Sequence, residues 1–268
     1  MNGTSVNNEA VSHKTPVLFV SHGSPMLAID REAGETFKQW GQSLTKPKAI
    51  LAFSAHWEAA QLAFGETVQH SKLIYDFSGF PESLYDLQYP APGAPGLVES
   101  VEAVLTPPQP LPRTQRGLDH GVWVPLLRMW PQADIPILQM ALPQSFTNTA
   151  LFDLGQRLTP LREQGIMIVT TGVITHNLRE AFTRAYTEPP SWATCFDQWV
   201  KQTVLEDRKQ LADWEQAPYA RQNHPTPEHF RPLLIAAGAA EDNDYIQFPV
   251  SGFEMNLFSR TSVQFGKD

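Results

Sequence analysis

Along the chain, short wholly apolar runs alternate with stretches in which apolar residues recur every three or four positions. Five runs read as buried strands: PVLFV from Pro16, AILAF from Ala49, IPILQM from Ile135, IMIVTT from Ile166 and YIQFPV from Tyr245. In TALFDLGQRLTPLREQG, Leu151, Leu154, Leu158 and Leu161 fall at helical spacing, with Pro160 disturbing the pattern near its end. A second helix is expected between Trp192 and Trp214, carrying Phe196, Trp199, Val200 and Leu211. A third is expected to open at Thr226-Pro227-Glu228, which reads as a cap, a first-turn proline and an early acid. Strands alternating with helices predict an α/β fold, with a largely parallel or mixed central sheet flanked by helices on both faces.

The prolines gather between these segments. From Phe77 to Pro112 the chain is dense in Pro, Gly and Tyr, too long and irregular for a simple connection. It is either a cover for a pocket or a surface excursion. No Gly/Ser-rich or charged linker divides the 268 residues, 42% of which are hydrophobic, so one core is expected. The reading is a flexible tail over residues 1–15 and a single catalytic domain over 16–268.

A net charge of -8, with 20 scattered basic residues, argues against nucleic acid or an anionic membrane as partner. The first fifteen residues lack the apolar stretch of a signal peptide, and no run approaches the roughly 20 apolar residues that span a bilayer. The single Cys195 excludes an internal disulfide and a cysteine-rich zinc site. A cytoplasmic location is the expectation.

Chemistry enters with the histidines. His22 follows PVLFVS, His56 follows AILAFSA and His176 follows IMIVTTGVIT, each at or just past the carboxyl end of an expected strand. In open α/β sheets that edge binds ligands. Neutral imidazole is the commonest metal ligand, and a site without thiolate suits Fe, Zn, Cu or Ni. His229 is expected in the first turn of the third helix, where the helix terminus disfavours the imidazolium. His120 stands beside Asp119, which either fixes its tautomer or, since neighbours on an extended chain point apart, serves another purpose. His13 lies in the polar tail, His70 in an ordinary loop, and His224 before Pro225 as a loop residue or pocket lining. Trp123, Trp130, Trp192, Trp199 and Trp214 read as packing residues.

Taken in order, VSHGSPMLAI, FSAHWE, GLDHGVWVPL, ITHNLRE and NHPTPEHFRPLLIAAGAA resemble the motifs of the class III extradiol ring-cleavage dioxygenases, in the DOPA 4,5-dioxygenase-like branch. The resemblance spans the chain from about Pro16 to the strands near its C-terminus. It implies that His22, His56 and His229 hold a metal, Fe(II) for activity with Zn(II) as an alternative occupant. It further implies that His176 acts as acid/base or as a further ligand, and that His120 lines the pocket and assists proton transfer. The substrates would be O2 and a catechol, cleaved next to the diol. Other branches supply a carboxylate as third ligand, so Glu228, Glu241 and Glu254 are the rivals of His229 for that place.

Two other functions fit parts of this pattern. Three histidines with an open position also describe a zinc hydrolase, and a relative could keep the metal or ligand site without turnover. Arg128, Arg179 and Arg184 lie near the motifs, yet none is marked as the anchor of a substrate carboxylate. A homodimer is the generic expectation for a soluble enzyme of this size.

Overall fold

The computed structural model describes residues 14–70, 72–105 and 110–267. The tail before Lys14, with His13, and residues 106–109 of the proline-rich stretch lie outside them. The first half runs β1 (Val17–Ser21), α1 (Arg31–Gln42), β2 (Ala49–Ala59), α2 (Pro95–Val104), α3 (His120–Met129), β3 (Ile137–Pro143) and α4 (Asn148–Leu158). Then come β4 (Ile166–Gly172), α5 (Leu178–Thr183), α6 (Ser191–Glu206), α7 (Ala220–Asn223) and α8 (Arg231–Ala239). Four short strands close the chain: β5 (Ile246–Gln247), β6 (Phe253–Glu254), β7 (Phe258–Ser259) and β8 (Val263–Phe265).

Six strands form one mixed sheet in the order β3-β2-β4-β1-β8-β5, while β6 and β7 make a separate hairpin. β1 to β4 are parallel, and β8 runs antiparallel to β1. The register sets Val17 and Leu51 on either side of Ile168. Both faces of these strands are covered, which is why they read as continuous apolar runs. Val17, Phe19, Leu51, Phe53 and Ile168 enter one core with α4, α6 and α8; Leu18, Val20, Ile50, Ala52 and Val169 enter the other with α1 and α3. Two glycines let α4 and α8 approach closely: a Cβ on Gly238 would stand 1.9 Å from the Phe152 carbonyl, and one on Gly155 would stand 2.2 Å from that of Ile235.

Four of the five expected strands form. The fifth, from Tyr245, shrinks to Ile246–Gln247 at the sheet edge, since Pro249 has no amide to donate to a ladder. Pro160 acts as its chemistry requires: α4 ends at Leu158 and tightens into a 3-10 helix over Thr159–Gln164. The third helix does not open at Thr226. Thr226 Oγ1 donates to the Glu228 carboxylate at 3.0 Å, and the helix begins at Arg231. Pro232 cannot give the amide that a helix running on from Thr226 would need, but is tolerated in the first turn of one starting at Arg231. The stretch from Phe77 to Pro112 is less irregular than its composition suggests, because α2 lies within it and buries Leu97, Val98 and Val101.

Candidate metal centre

β1, β4 and β2 are neighbours in the sheet, and their carboxyl ends deliver three histidines to one place. His22 follows β1 directly, and its amide donates to the Gly172 carbonyl at the end of β4 (3.1 Å). His56 lies inside β2, which runs past it to Ala59 with a register shift between Phe53 and Glu58. His176 stands four residues beyond β4, its amide donating to the Asn223 carbonyl at 3.0 Å. His120 opens α3, and His229 sits in the turn before α8. The bare Cα of Gly172 permits that turn to close on the sheet: a Cβ there would come 2.2 Å from the His229 carbonyl oxygen, which accepts the Val173 amide at 3.1 Å.

Five imidazoles therefore converge. Ring centroids are 4.9 Å apart for His22 and His56, 5.0 Å for His56 and His229, 5.5 Å for His22 and His229, and 4.1 Å for His56 and His120. His176 lies flat on His229 at 3.5 Å. One ring nitrogen from each of His22, His56 and His120 lies within 4.8 Å of the other two, and so do single ligand atoms of His176, Glu228 and His229. The two sets adjoin through the His56 and His229 rings.

The outward nitrogens are held. His56 Nδ1 is 3.2 Å from Asp76, His120 Nδ1 is 2.8 Å from the same carboxylate, and His229 Nδ1 is 3.0 Å from Glu228. The Nε2 atoms of His22 and His56 meet at 3.0 Å, while the buried Nδ1 of His22 has no partner. If both rings turn lone pairs inward, only a cation between them makes that spacing favourable. Two nitrogens each about 2.1 Å from one ion and roughly at right angles would be about 3.0 Å apart. The donor set thus fits a metal that prefers nitrogen ligands.

Burial keeps His22, His176 and His229 uncharged. It is the main cause holding His22 and His229 well below the ordinary imidazole value, with the positive charge of neighbouring imidazoles, His56 first for His22 and His176 first for His229, adding to it. Burial likewise brings His176 down to about 4. Burial alone would raise Asp76, but its hydrogen bonds to His120 and His56 outweigh that and hold it well below the usual carboxylate range. The neutrality of His229 accordingly comes from burial and neighbouring imidazoles, and the helix terminus expected to supply it lies two residues further on.

Other expected residues go elsewhere. Asp119 does not touch the His120 ring; it is fully buried and accepts from Ser54 Oγ at 2.7 Å and from Gln139 Nε2 at 2.5 Å. His224 Nε2 donates to the Ile174 carbonyl at 2.6 Å, and its ring packs on Phe196, Trp214 and Phe230. His70, also buried, bonds the Ile137 carbonyl at 2.9 Å. Of the rival carboxylates, Glu241 pairs with Lys14 and Glu254 holds Ser24, leaving Glu228 as the one on a histidine of the cluster. Arg128 bonds the carbonyls of Ala28 and Asp30, Arg184 pairs with Glu180, and Arg179 is exposed.

Asp76 was the residue that sequence reasoning missed. It immediately precedes the Pro/Gly/Tyr-rich stretch, and the idea that this stretch covers a pocket was the only signal toward it. Phe77, next in the chain, sets its ring at right angles to His120 at 5.4 Å and packs against Phe80 and Tyr85.

The family model for the catalytic LigB subunit of aromatic ring-opening dioxygenase matches residues 10–266. The chain belongs to this LigB family. A protein of Escherichia coli K12 named 4,5-DOPA dioxygenase extradiol is 37% identical over 95% of this chain and 96% of its own length. One of the same name from Beta vulgaris is 36% identical, over 92% of this chain and 95% of its own. The crystal structure of an uncharacterized protein from Escherichia coli K12 superposes with a TM-score of 0.81 at 34% identity, covering 94% of this chain and 100% of that one. As the apolar runs predict, His22, His56 and His176 stand toward the carboxyl edge of the sheet. Among the described residues no helix is long and apolar enough to cross a membrane.

Proposed function

We propose that this LigB-family chain is a metal-dependent extradiol dioxygenase that opens a catechol-type ring beside its diol. The observation that carries the reading is the convergence of five imidazoles at one sheet edge, two of them with Nε2 atoms 3.0 Å apart. His22, His56 and His229 would hold the metal, with Fe(II) for activity and Zn(II) as an alternative occupant; His176 beside them would act as acid/base or as a further ligand. Bound iron would supply Lewis acidity toward the diol and a path for electrons from the ring to dioxygen.

The remaining work falls to the chain. His176, uncharged at neutral pH, can take a proton from a diol oxygen. His120, with Nδ1 on Asp76, has Nε2 left to orient substrate or pass a proton. Phe77 closes the His120 side with an apolar edge, suited to an aromatic ring. The product would be a muconic semialdehyde, which is yellow. The names of the relatives point to a dihydroxyphenylalanine-like substrate, used by a protein without nucleic-acid or membrane partners in the cytoplasm.

The test is anaerobic loading with Fe(II), then oxygen and a panel of catechols with and without a carboxylate side chain. Yellow product needing both iron and oxygen is expected. His22→Ala should lose the iron, and His176→Ala should keep it while turnover falls about 10²–10⁴-fold. No product from any catechol, alongside tight zinc binding, would overturn the dioxygenase reading for these substrates.

A further inference from the structure

The loop between β2 and α2 carries one carboxylate that reaches two imidazoles at once. Asp76 Oδ1 accepts from His120 Nδ1 at 2.8 Å and from the His120 backbone amide at 3.2 Å, while Oδ2 is 3.2 Å from His56 Nδ1. The same group therefore lies at the N-terminus of α3, where a negative charge is favoured. Asp119, which the sequence places next to His120, makes no side-chain cap there and is occupied by Ser54 and Gln139. Asp76's side chain is only a quarter exposed, so water competes weakly for it.

An ionised carboxylate only accepts hydrogen bonds. Both rings must then carry their hydrogen on Nδ1, leaving Nε2 of each as a lone pair. For His56 that lone pair is the one facing His22 at 3.0 Å. The two rings stand on different supports, one on β2 and one on α3, with centroids 4.1 Å apart. Neither support alone fixes which nitrogen is protonated; a shared carboxylate does.

We infer that Asp76 is a positioning residue that locks His56 and His120 together in the Nδ1–H tautomer, so that one side chain sets both a metal ligand and the proton-handling histidine. The consequence for His56 rests on the metal-centre reading above; the tautomer lock itself does not. Outer carboxylates of this kind are typically worth 10–100-fold in metal affinity.

The deciding variant is Asp76→Asn. An amide of the same shape has one accepting oxygen, and its NH2 group opposes a second N–H, so it can keep at most one of the two bonds. Long-range 1H–15N correlation spectra of the 15N-labelled full chain, metal-free and zinc-loaded, report the tautomer of each histidine. The wild-type protein should show Nδ1–H at both His56 and His120. In Asp76→Asn at least one should lose it, and the zinc dissociation constant, read by chelator competition, should rise about 10-fold or more. Asp76→Glu retains a carboxylate and should recover zinc affinity to within a few-fold of wild type. Unchanged tautomers at both rings in the folded Asn variant, or a Glu variant as impaired as Asn, would overturn the inference. Neither readout requires turnover, so absence of ring opening would count against the dioxygenase proposal and leave this result standing.

Discussion

His120 is flanked in sequence by Asp119 but bonded in space to Asp76. The residue scale separates what spacing can reveal from what it cannot. His22, His56 and His176 were legible because each follows an apolar run, and parallel pairing brings the carboxyl ends of β1, β2 and β4 to one sheet edge. Asp76 was not, since its partners are 44 and 20 positions away and no periodicity links a loop to them. Asp119 has a different and testable burden. It is wholly buried and accepts from two side chains, so Asp119→Ala would leave Ser54 and Gln139 with unmet hydrogen bonds. Each such loss is worth about 1–3 kcal/mol, and we expect a stability decrease of at least ~2 kcal/mol in urea denaturation. A change under ~1 kcal/mol would mean that water or a neighbour takes its place.

Among the elements, α4 and the long apolar runs were readable from pattern, whereas α1 and β8 were not picked out. α1 presents only Ala33, Phe37 and Trp40 as its larger apolar buried residues, a stripe too thin to stand out among charged neighbours. β8 has three residues and exists as a strand because β1 offers it a partner. The α4–α8 contact is an element-level property with its own prediction. Gly238→Ala places a methyl group against the Phe152 backbone, which cannot move aside as a side chain would. Overpacking of this kind typically costs 1–3 kcal/mol. Calorimetry should show a lower Tm; an unchanged Tm would show that the helices separate at no cost.

Across the whole molecule, the histidines make stability depend on pH. His224 and His176 are both brought down to about 4 from an ordinary 6.5, in each case chiefly by burial. As pH falls through 6.5 the unfolded chain takes up these protons before the folded one. The stabilisation is therefore complete above about 6.5 and is lost progressively toward 4. Urea midpoints of the metal-free protein should fall across that window, and saturating zinc at pH 7 should raise the midpoint, since the proposed site exists only in the folded state. A flat profile would contradict neutral, buried rings. The global topology also bears on when the centre can assemble. Ser21, immediately before His22, is clasped by the far end of the chain: its amide donates to Ser262 Oγ at 3.0 Å and its hydroxyl to the Ser259 carbonyl at 2.6 Å, with β8 alongside β1. The turn that presents His22 is therefore fastened by contacts 241 and 238 positions further along the chain. A metal held at that turn would thus report that two distant segments of the chain have come together.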